Sequence, residues 1–211
     1  MSAAPEVPPA VAIVGRKNSG KTTLVVALAA ELRRRGYRIA SLKHGHHDFE
    51  VDEPGRDTWR HFHEGGVEAV VMASVSKVAL VMRLDDGEPD PRDLIRRFYA
   101  GRGYDVVLVE GYKRGPFPRI EVFRRGVHDH PLYDPAASSR RSMSADADLP
   151  RTDGADSDSA GGCIATVTDG AGFHAPWPVF ALDADDPLAG AHVGEVADLI
   201  ERRFLGGRDG G

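Results

Sequence analysis

Residues 15–22, Gly-Arg-Lys-Asn-Ser-Gly-Lys-Thr, fit the pattern G-x-x-x-x-G-K-[ST], and their setting constrains the fold more than any other stretch of the chain. A short apolar run, residues 9–14, precedes them. Apolar residues at helical spacing follow (Leu24, Val25, Leu28, Leu32), until Gly36 stops the pattern. Strand, glycine loop and helix in that order make an anion nest. The glycines let the backbone turn so that successive N–H groups point inward, at the positive end of the helix dipole. In such a nest Lys21 reaches the β- and γ-phosphates of a nucleotide and Thr22 joins the shell of a Mg²⁺ ion, while Gly15, Lys17, Asn18, Ser19, Gly20 and Thr23 complete the cradle. A glycine-rich turn can match the pattern by accident, but the strand and helix around this one argue against it.

The remaining pattern is α/β. Residues 37–42 read as a strand that runs into a polar, histidine-laden loop over 43–54. Residues 57–64 read as a helix capped by Asp57 and closed by Gly65 and Gly66, and 67–73 with 77–84 as a hairpin. A helix over 90–100 leads to a continuous apolar strand, 105–109, of the kind buried on both faces. Residues 119–123 alternate and are expected to form an edge strand. Strands at 163–168 and 179–182 and an amphipathic helix over 188–205 close the chain. The expected fold is a mostly parallel sheet flanked by helices, of the P-loop NTPase type, with an antiparallel hairpin extension. Its nucleotide-binding region is 10–134, and 163–206 belongs to the same domain. Residues 1–9 and 207–211 are expected to be flexible. Residues 135–162, nearly devoid of large apolar side chains, cannot repay their ordering entropy and are expected to be disordered.

Composition narrows the function. With 211 residues, 41% of them hydrophobic, the chain can bury one sizeable core. A net charge of −5 argues against wrapping nucleic acid, which needs a basic surface. The lone cysteine, Cys163, excludes an internal disulfide framework and fits a reducing compartment. The start lacks the layout of a secretory signal and no run approaches the roughly 18 apolar residues of a membrane span, so a cytoplasmic location is expected.

Four of the five lysines, Lys17, Lys21, Lys43 and Lys113, fall just beyond the C-terminal ends of expected strands, the edge where open α/β sheets bind ligands. Glu110 ends the strand 105–109 in the manner of a Walker B acid, able to touch Mg²⁺ or polarise its water; a solvated strand-end acid is the plainer alternative. Asp52 and Asp57 are candidates to reach the metal through water on a mobile loop, with Asp52 in a catalytic and Asp57 in a metal-holding role. His44, His46 and His47 can also assemble a metal site with nearby carboxylates, though histidines in a polar loop are more often simply solvated. Asp169 ends a late strand where a carboxylate could accept the paired N–H donors of guanine; the usual N-K-x-D signature is absent.

Three stretches together carry a resemblance to a known family: GRKNSGKTTL at 15–24, LKHGHHDFEVDEPGRDTWRH at 42–61, and DVVLVEGYK at 105–113 with PRIEVFR at 118–124. The first is shared by many NTPases, whereas the second, with its Lys-His start and D-x-P-G-x-D centre, is specific. The chain resembles the molybdopterin-guanine dinucleotide biosynthesis adaptor proteins, the MobB family, over about residues 11–125 and the strand near Thr166. The resemblance implies a dimeric, GTP-binding protein with weak GTPase activity. Such a protein assists a partner guanylyltransferase that attaches GMP to molybdopterin, which is itself a possible bound ligand. It implies further that Lys43, His44, Asp52 and Asp57 line the nucleotide and Mg²⁺ side of a cleft, faced by Glu110, Gly111 and Lys113. The insert at 135–162 and Arg56, where lysine is common, depart from the family pattern.

Fast hydrolysis needs a positioned water and a stabilising cation. Arg16, Arg56 and Arg114 are candidates for that cation, and slow intrinsic turnover is expected. Two other readings use the same loop: a small-molecule kinase, which would prefer ATP, and a metal-inserting GTPase, which would use the loop histidines.

Overall fold

The computed structural model describes residues 4–45, 49–50, 52–84, 87–133, 162–183 and 185–206. Residues 135–161 of the expected disordered insert, the tail 207–211, and His46 and His47 lie outside that set. The chain forms two compact units, one built from residues 1–44 and 91–211, the other from 45–90.

In the larger unit the elements run β1 (Ala10–Val14), α1 (Lys21–Arg34), β2 (Ile39–Lys43), then α3 (Pro91–Tyr99), β5 (Val106–Glu110), β6 (Arg119–Phe123), β7 (Cys163–Thr168), β8 (Val179–Ala181) and α4 (Ala191–Ile200). A π-helical turn, Glu201–Leu205, extends α4. The six strands form one parallel sheet in the order β2-β5-β1-β6-β7-β8. β2 and β5 lie on one side of β1 and β6 to β8 on the other, so the chain runs outward from β1 to β2 in one direction and from β5 past β1 to β6 in the other. Such a switch point opens a crevice at the carboxyl ends of the strands.

Successive residues of a strand face opposite ways, and the sheet uses both faces. Val11 and Ile13 of β1, with Val106 and Leu108 of β5, pack under Leu24, Leu28 and Leu32 of α1 and Val196 and Ile200 of α4. Ala12, Val14, Val107 and Val109 pack on the other side with Ile95 of α3, Phe117, Leu132 and Tyr133. Two-sided burial explains why β1 and β5 read as unbroken apolar runs. Arg35, just past α1, bonds Glu31 at 2.7 Å, Asp198 at 2.6 Å and Glu201 at 2.5 Å, tying α1 to the last helix. Hydrogen bonds from Arg34 and Arg35 hold the Glu31 carboxyl down at about 2.

The smaller unit holds α2 (Asp57–His63) and the antiparallel pair β3 (Ala69–Ala73) and β4 (Val78–Met82), registered from Ala69 opposite Met82 to Ala73 opposite Val78. The expected hairpin is there. One of its faces, Val70, Met72, Ala79 and Val81, lines a groove of about 510 Å³ with Trp59 and Phe62 of α2. On the other face Val71, Val78 and Leu80 are 61%, 69% and 42% exposed.

Two expectations need correction. The strand 119–123 is not at an edge; β6 is interior, between β1 and β7. Its polar positions mimicked a solvated face, but Glu121 is 1% exposed and accepts the N–H groups of Leu132 (2.5 Å) and Tyr133 (3.2 Å). A buried acid with backbone partners is indistinguishable in a sequence from a surface one. Asp57 does not cap α2: Arg56 occupies the N-cap position without a side-chain bond, and Asp57 is the first helical residue. The orphan donor of the first turn goes to Asp52, which accepts the Trp59 N–H at 3.2 Å and the Thr58 hydroxyl. Among the described residues no helix is long and apolar enough to cross a membrane.

Candidate functional site

The chain leaves β1 at Gly15, whose φ of +153° suits glycine, and a Cβ there would stand 2.5 Å from both Ser19 Oγ and the Val122 carbonyl oxygen of β6. Asn18 (φ +62°) and Gly20 (φ +96°) also adopt left-handed backbone, winding the loop tightly before α1 begins at Lys21. Gly20 is the N-cap and offers no side-chain bond to the first turn, nor is there an acid in that turn. The positive end of α1 is therefore free to meet an anion. Ser19 is 1% exposed, and its Oγ is one of three buried side-chain polar atoms without a partner among the described residues. Orphaned buried hydroxyls are rare and call for an explanation. A phosphate oxygen in the loop provides one.

Glu110 ends β5 directly between the ends of β1 and β2, opposite Ile13 on one side and Lys43 on the other. Its Oε1 accepts the Thr22 hydroxyl at 2.7 Å and lies 3.2 Å from Lys43 Nζ. Thus a helix-borne hydroxyl and a strand-borne carboxylate, 88 residues apart, meet at one point. These are hard oxygen donors of the kind Mg²⁺ prefers beside a phosphate, and the pair fits that ion. The Lys43 ammonium neutralises the same carboxylate oxygen.

Lys21 Nζ donates to the Arg16 carbonyl at 2.7 Å. Its proton is held less firmly than usual, chiefly because of burial; Glu110 opposes that effect, and Lys113 and Lys43 add to it. Lys21 thus feels two further ammonium groups and one carboxylate, a surplus of positive charge that a polyphosphate would relieve.

The neighbouring backbone is shaped for close approach. Gly111 (φ +95°) brings its α-carbon so near His44 that a Cβ would sit 3.2 Å from that residue's own Cβ. The His44 ring stacks on Tyr112 with centroids 4.4 Å apart. Of the other candidates, Lys17 is exposed on the loop and Thr23 lies in the first turn of α1. Asp169 follows β7, where Arg124 Nε donates to it at 3.1 Å and the Arg125 N–H at 2.6 Å. Asp52 and Asp57 belong to the smaller unit. Among the described residues no cluster of three or more His, Cys, Asp or Glu side chains could hold a metal ion. Burial pushes the Cys163 thiol up to about 12, so it is an inert packing residue.

Residues 124–133, which the sequence did not single out, also reach the loop. His128 Nε2 lies 2.7 Å from the Lys17 carbonyl oxygen, and Arg16 Nε donates to the His130 carbonyl at 3.3 Å. Neither contact has a signal in the sequence; Glu121, an acid inside an apolar strand, marks only the anchoring of Leu132 and Tyr133.

Comparison with known proteins agrees with this architecture. The family model described as molybdopterin guanine dinucleotide synthesis protein B matches residues 10–161. The molybdopterin-guanine dinucleotide biosynthesis adapter protein of Haemophilus influenzae is 36% identical over 117 residues, 56% of this chain and 64% of its own length. That of Escherichia coli is 35% identical over 127 residues, 58% of this chain and 70% of its own length. The chain thus spans about two thirds of the length of these curated relatives. Among solved structures, Bacillus subtilis MobB is similar at a TM-score of 0.61 and 21% identity, over 94% of this chain and 99% of that one. A MobB homologue from Bacillus stearothermophilus gives 0.58 and 22%, over 92% and 99%. At such identities the structural likeness speaks for the fold alone. The family match is broader, and its span contains the phosphate-type loop, Lys43, Glu110 and the strand Arg119–Phe123: the chain belongs to the MobB family of molybdopterin guanine dinucleotide biosynthesis adapter proteins.

Proposed function

We propose that this chain binds GTP and Mg²⁺ at residues 15–22, hydrolyses GTP slowly on its own, and acts as a homodimer in the cytoplasm to assist a partner guanylyltransferase that attaches GMP to molybdopterin. One observation carries the reading: the Thr22 hydroxyl and the Glu110 carboxylate meet at 2.7 Å beside an open helix N-terminus. Loop amides and Lys21 would hold the β- and γ-phosphates, while Thr22 and Glu110 would hold the metal. The bound ion would supply charge neutralisation at those phosphates. Lys43, Lys113, His44 and Gly111 would border them.

Slow turnover is supported by two of the three candidate arginines. Arg16 Nε is engaged with the His130 carbonyl, and Arg56 Nε pairs with Glu53 at 3.0 Å. Neither is poised as a free transition-state cation, which in this chemistry contributes a factor of about 10³ or more. The transfer chemistry is then the partner's. Guanine preference is supported by the place of Asp169 after a parallel strand of the same sheet; in this reading it keeps its bonds to Arg124 Nε and the Arg125 N–H and offers its remaining lone pairs to the base. Pairing of two copies is supported by the bare face of β3 and β4, since a two-stranded sheet is marginal alone and Val71, Val78 and Leu80 gain by being covered.

The test is to titrate GTP and ATP with Mg²⁺, alone and with a guanylyltransferase of this pathway, while recording mass in solution. GTP preferred by about tenfold or more, a mass of two chains, little phosphate release alone and faster dinucleotide formation in the mixture are expected. ATP preference would overturn the reading in favour of a kinase, and rapid GTP hydrolysis without a partner would overturn it as well. The metal role has its own check. Glu110→Ala is expected to raise the Mg²⁺ concentration that supports half-maximal GTP binding about tenfold, the equivalent of one charge-assisted contact. An unchanged Mg²⁺ requirement would remove Glu110 from the site.

A further inference from the structure

We infer that His128 is a positioning residue for the phosphate loop: its ring donates a hydrogen bond that holds the outer arm of the loop, Arg16 to Asn18, in the shape that receives phosphate. The inference rests on the proposed nucleotide site and adds to it a residue from a distant part of the chain.

The atom facing His128 Nε2 is the Lys17 carbonyl oxygen, 2.7 Å away, which can only accept. Nε2 must therefore carry the hydrogen. The contact spans 111 residues of sequence, so it is a feature of the fold and not of local turn geometry. The same arm makes a second contact with this segment, as Arg16 Nε donates to the His130 carbonyl at 3.3 Å.

The segment bearing these contacts is pinned at both ends. At its start the Arg124 carbonyl accepts the N–H groups of Val127 (3.0 Å) and His128 (2.9 Å), while Arg124 and Arg125 are tied to Asp169. At its end the buried Glu121 carboxylate accepts two N–H groups, and the Tyr133 hydroxyl donates to the Lys113 carbonyl at 2.6 Å. With its flanks already ordered, the imidazole meets Lys17 at little further loss of chain entropy.

The loop needs such a hold. Asn18, next to Lys17, has φ +62°, a left-handed conformation that asparagine tolerates better than most residues but that is still less favourable than ordinary backbone. Freed of His128, the arm can relax toward ordinary backbone and its amides would no longer converge. The expected loss is independent of the base, since the arm reads phosphate.

The experiment measures binding of GTP with Mg²⁺ and of inorganic tripolyphosphate with Mg²⁺ to the full chain, to His128→Ala and to His128→Gln, along with each unfolding midpoint. The amide nitrogen of glutamine reaches about as far as Nε2 and also donates. Alanine is expected to weaken both probes on the order of tenfold, the worth of one hydrogen bond with the strain it restrains. Glutamine is expected to recover most of that loss, with midpoints within about 2 °C of one another. The inference is overturned if alanine binds as tightly as the parent, or if glutamine binds as weakly as alanine. It is overturned too if alanine's loss of affinity is matched by a large drop in midpoint that glutamine restores, which would make His128 a prop of the fold. A parent chain that binds neither probe sinks the nucleotide site itself, whereas binding by the parent with no effect of alanine sinks only the role of His128.

Discussion

Gly15→Ala is expected to weaken GTP binding at least a hundredfold in a chain that still folds. A methyl group at this position meets Ser19 Oγ and the Val122 carbonyl, each at 2.5 Å. Ser19 can rotate, but the carbonyl belongs to β6, which is fixed between β1 and β7 by parallel pairing on both sides. The loop must therefore move, and Gly15 also sits at φ +153°, where a side chain adds strain. Collision and strain together amount to about 2–4 kcal/mol. Most of this falls on the loop, because β1 itself is held by its own ladder. The unfolding midpoint should drop by several degrees, while the amides lose their convergence on the phosphates. Gly206→Ala is the comparison. Gly206 has φ +64° and open space around its α-carbon, so alanine there should cost about 1 kcal/mol of stability and leave nucleotide binding alone. Equal affinity of Gly15→Ala and the parent would mean that the loop does not hold phosphate through its backbone.

What could be seen in the sequence was whatever is encoded locally. β1, α1 and β5 announce themselves because burial on both faces needs continuous apolar runs, and the glycine loop announces itself because few residues tolerate its backbone. β7 was expected at 163–168 and lies at Cys163–Thr168, where all six residues are buried. Glu110 was legible as the acid ending a buried strand, and its meeting with Thr22 follows from parallel pairing of β5 with β1. Interactions aimed at backbone atoms were hidden, since every residue has a carbonyl and an N–H and none advertises its partner. For that reason Glu121 made β6 look like an edge, Asp52 rather than Asp57 serves α2, and the contact of His128 with Lys17 left no trace.

In the function proposed here, residues 15–22 bind guanine triphosphate through a backbone nest completed by one ammonium group. Lys21 is half-buried among Lys43 and Lys113, with its proton affinity lowered by burial and by their charge. In the empty protein that arrangement works against folding: below the lowered folded pKa Lys21 is charged in both states, and the fold carries the full extra cost of that charge. Removing the ammonium should therefore keep or raise stability. A charge that works against the empty fold points to a task that a ligand rewards. The most direct measurement is calorimetric titration of GTP with Mg²⁺ into the parent and into Lys21→Ala at neutral pH, with thermal unfolding of both. Saturable binding by the parent, at least a hundredfold weaker binding by the variant, equivalent to about 2.7 kcal/mol, and an unfolding midpoint no lower than the parent's are predicted. Equal affinity of the two chains for GTP would mean that this loop does not hold the nucleotide.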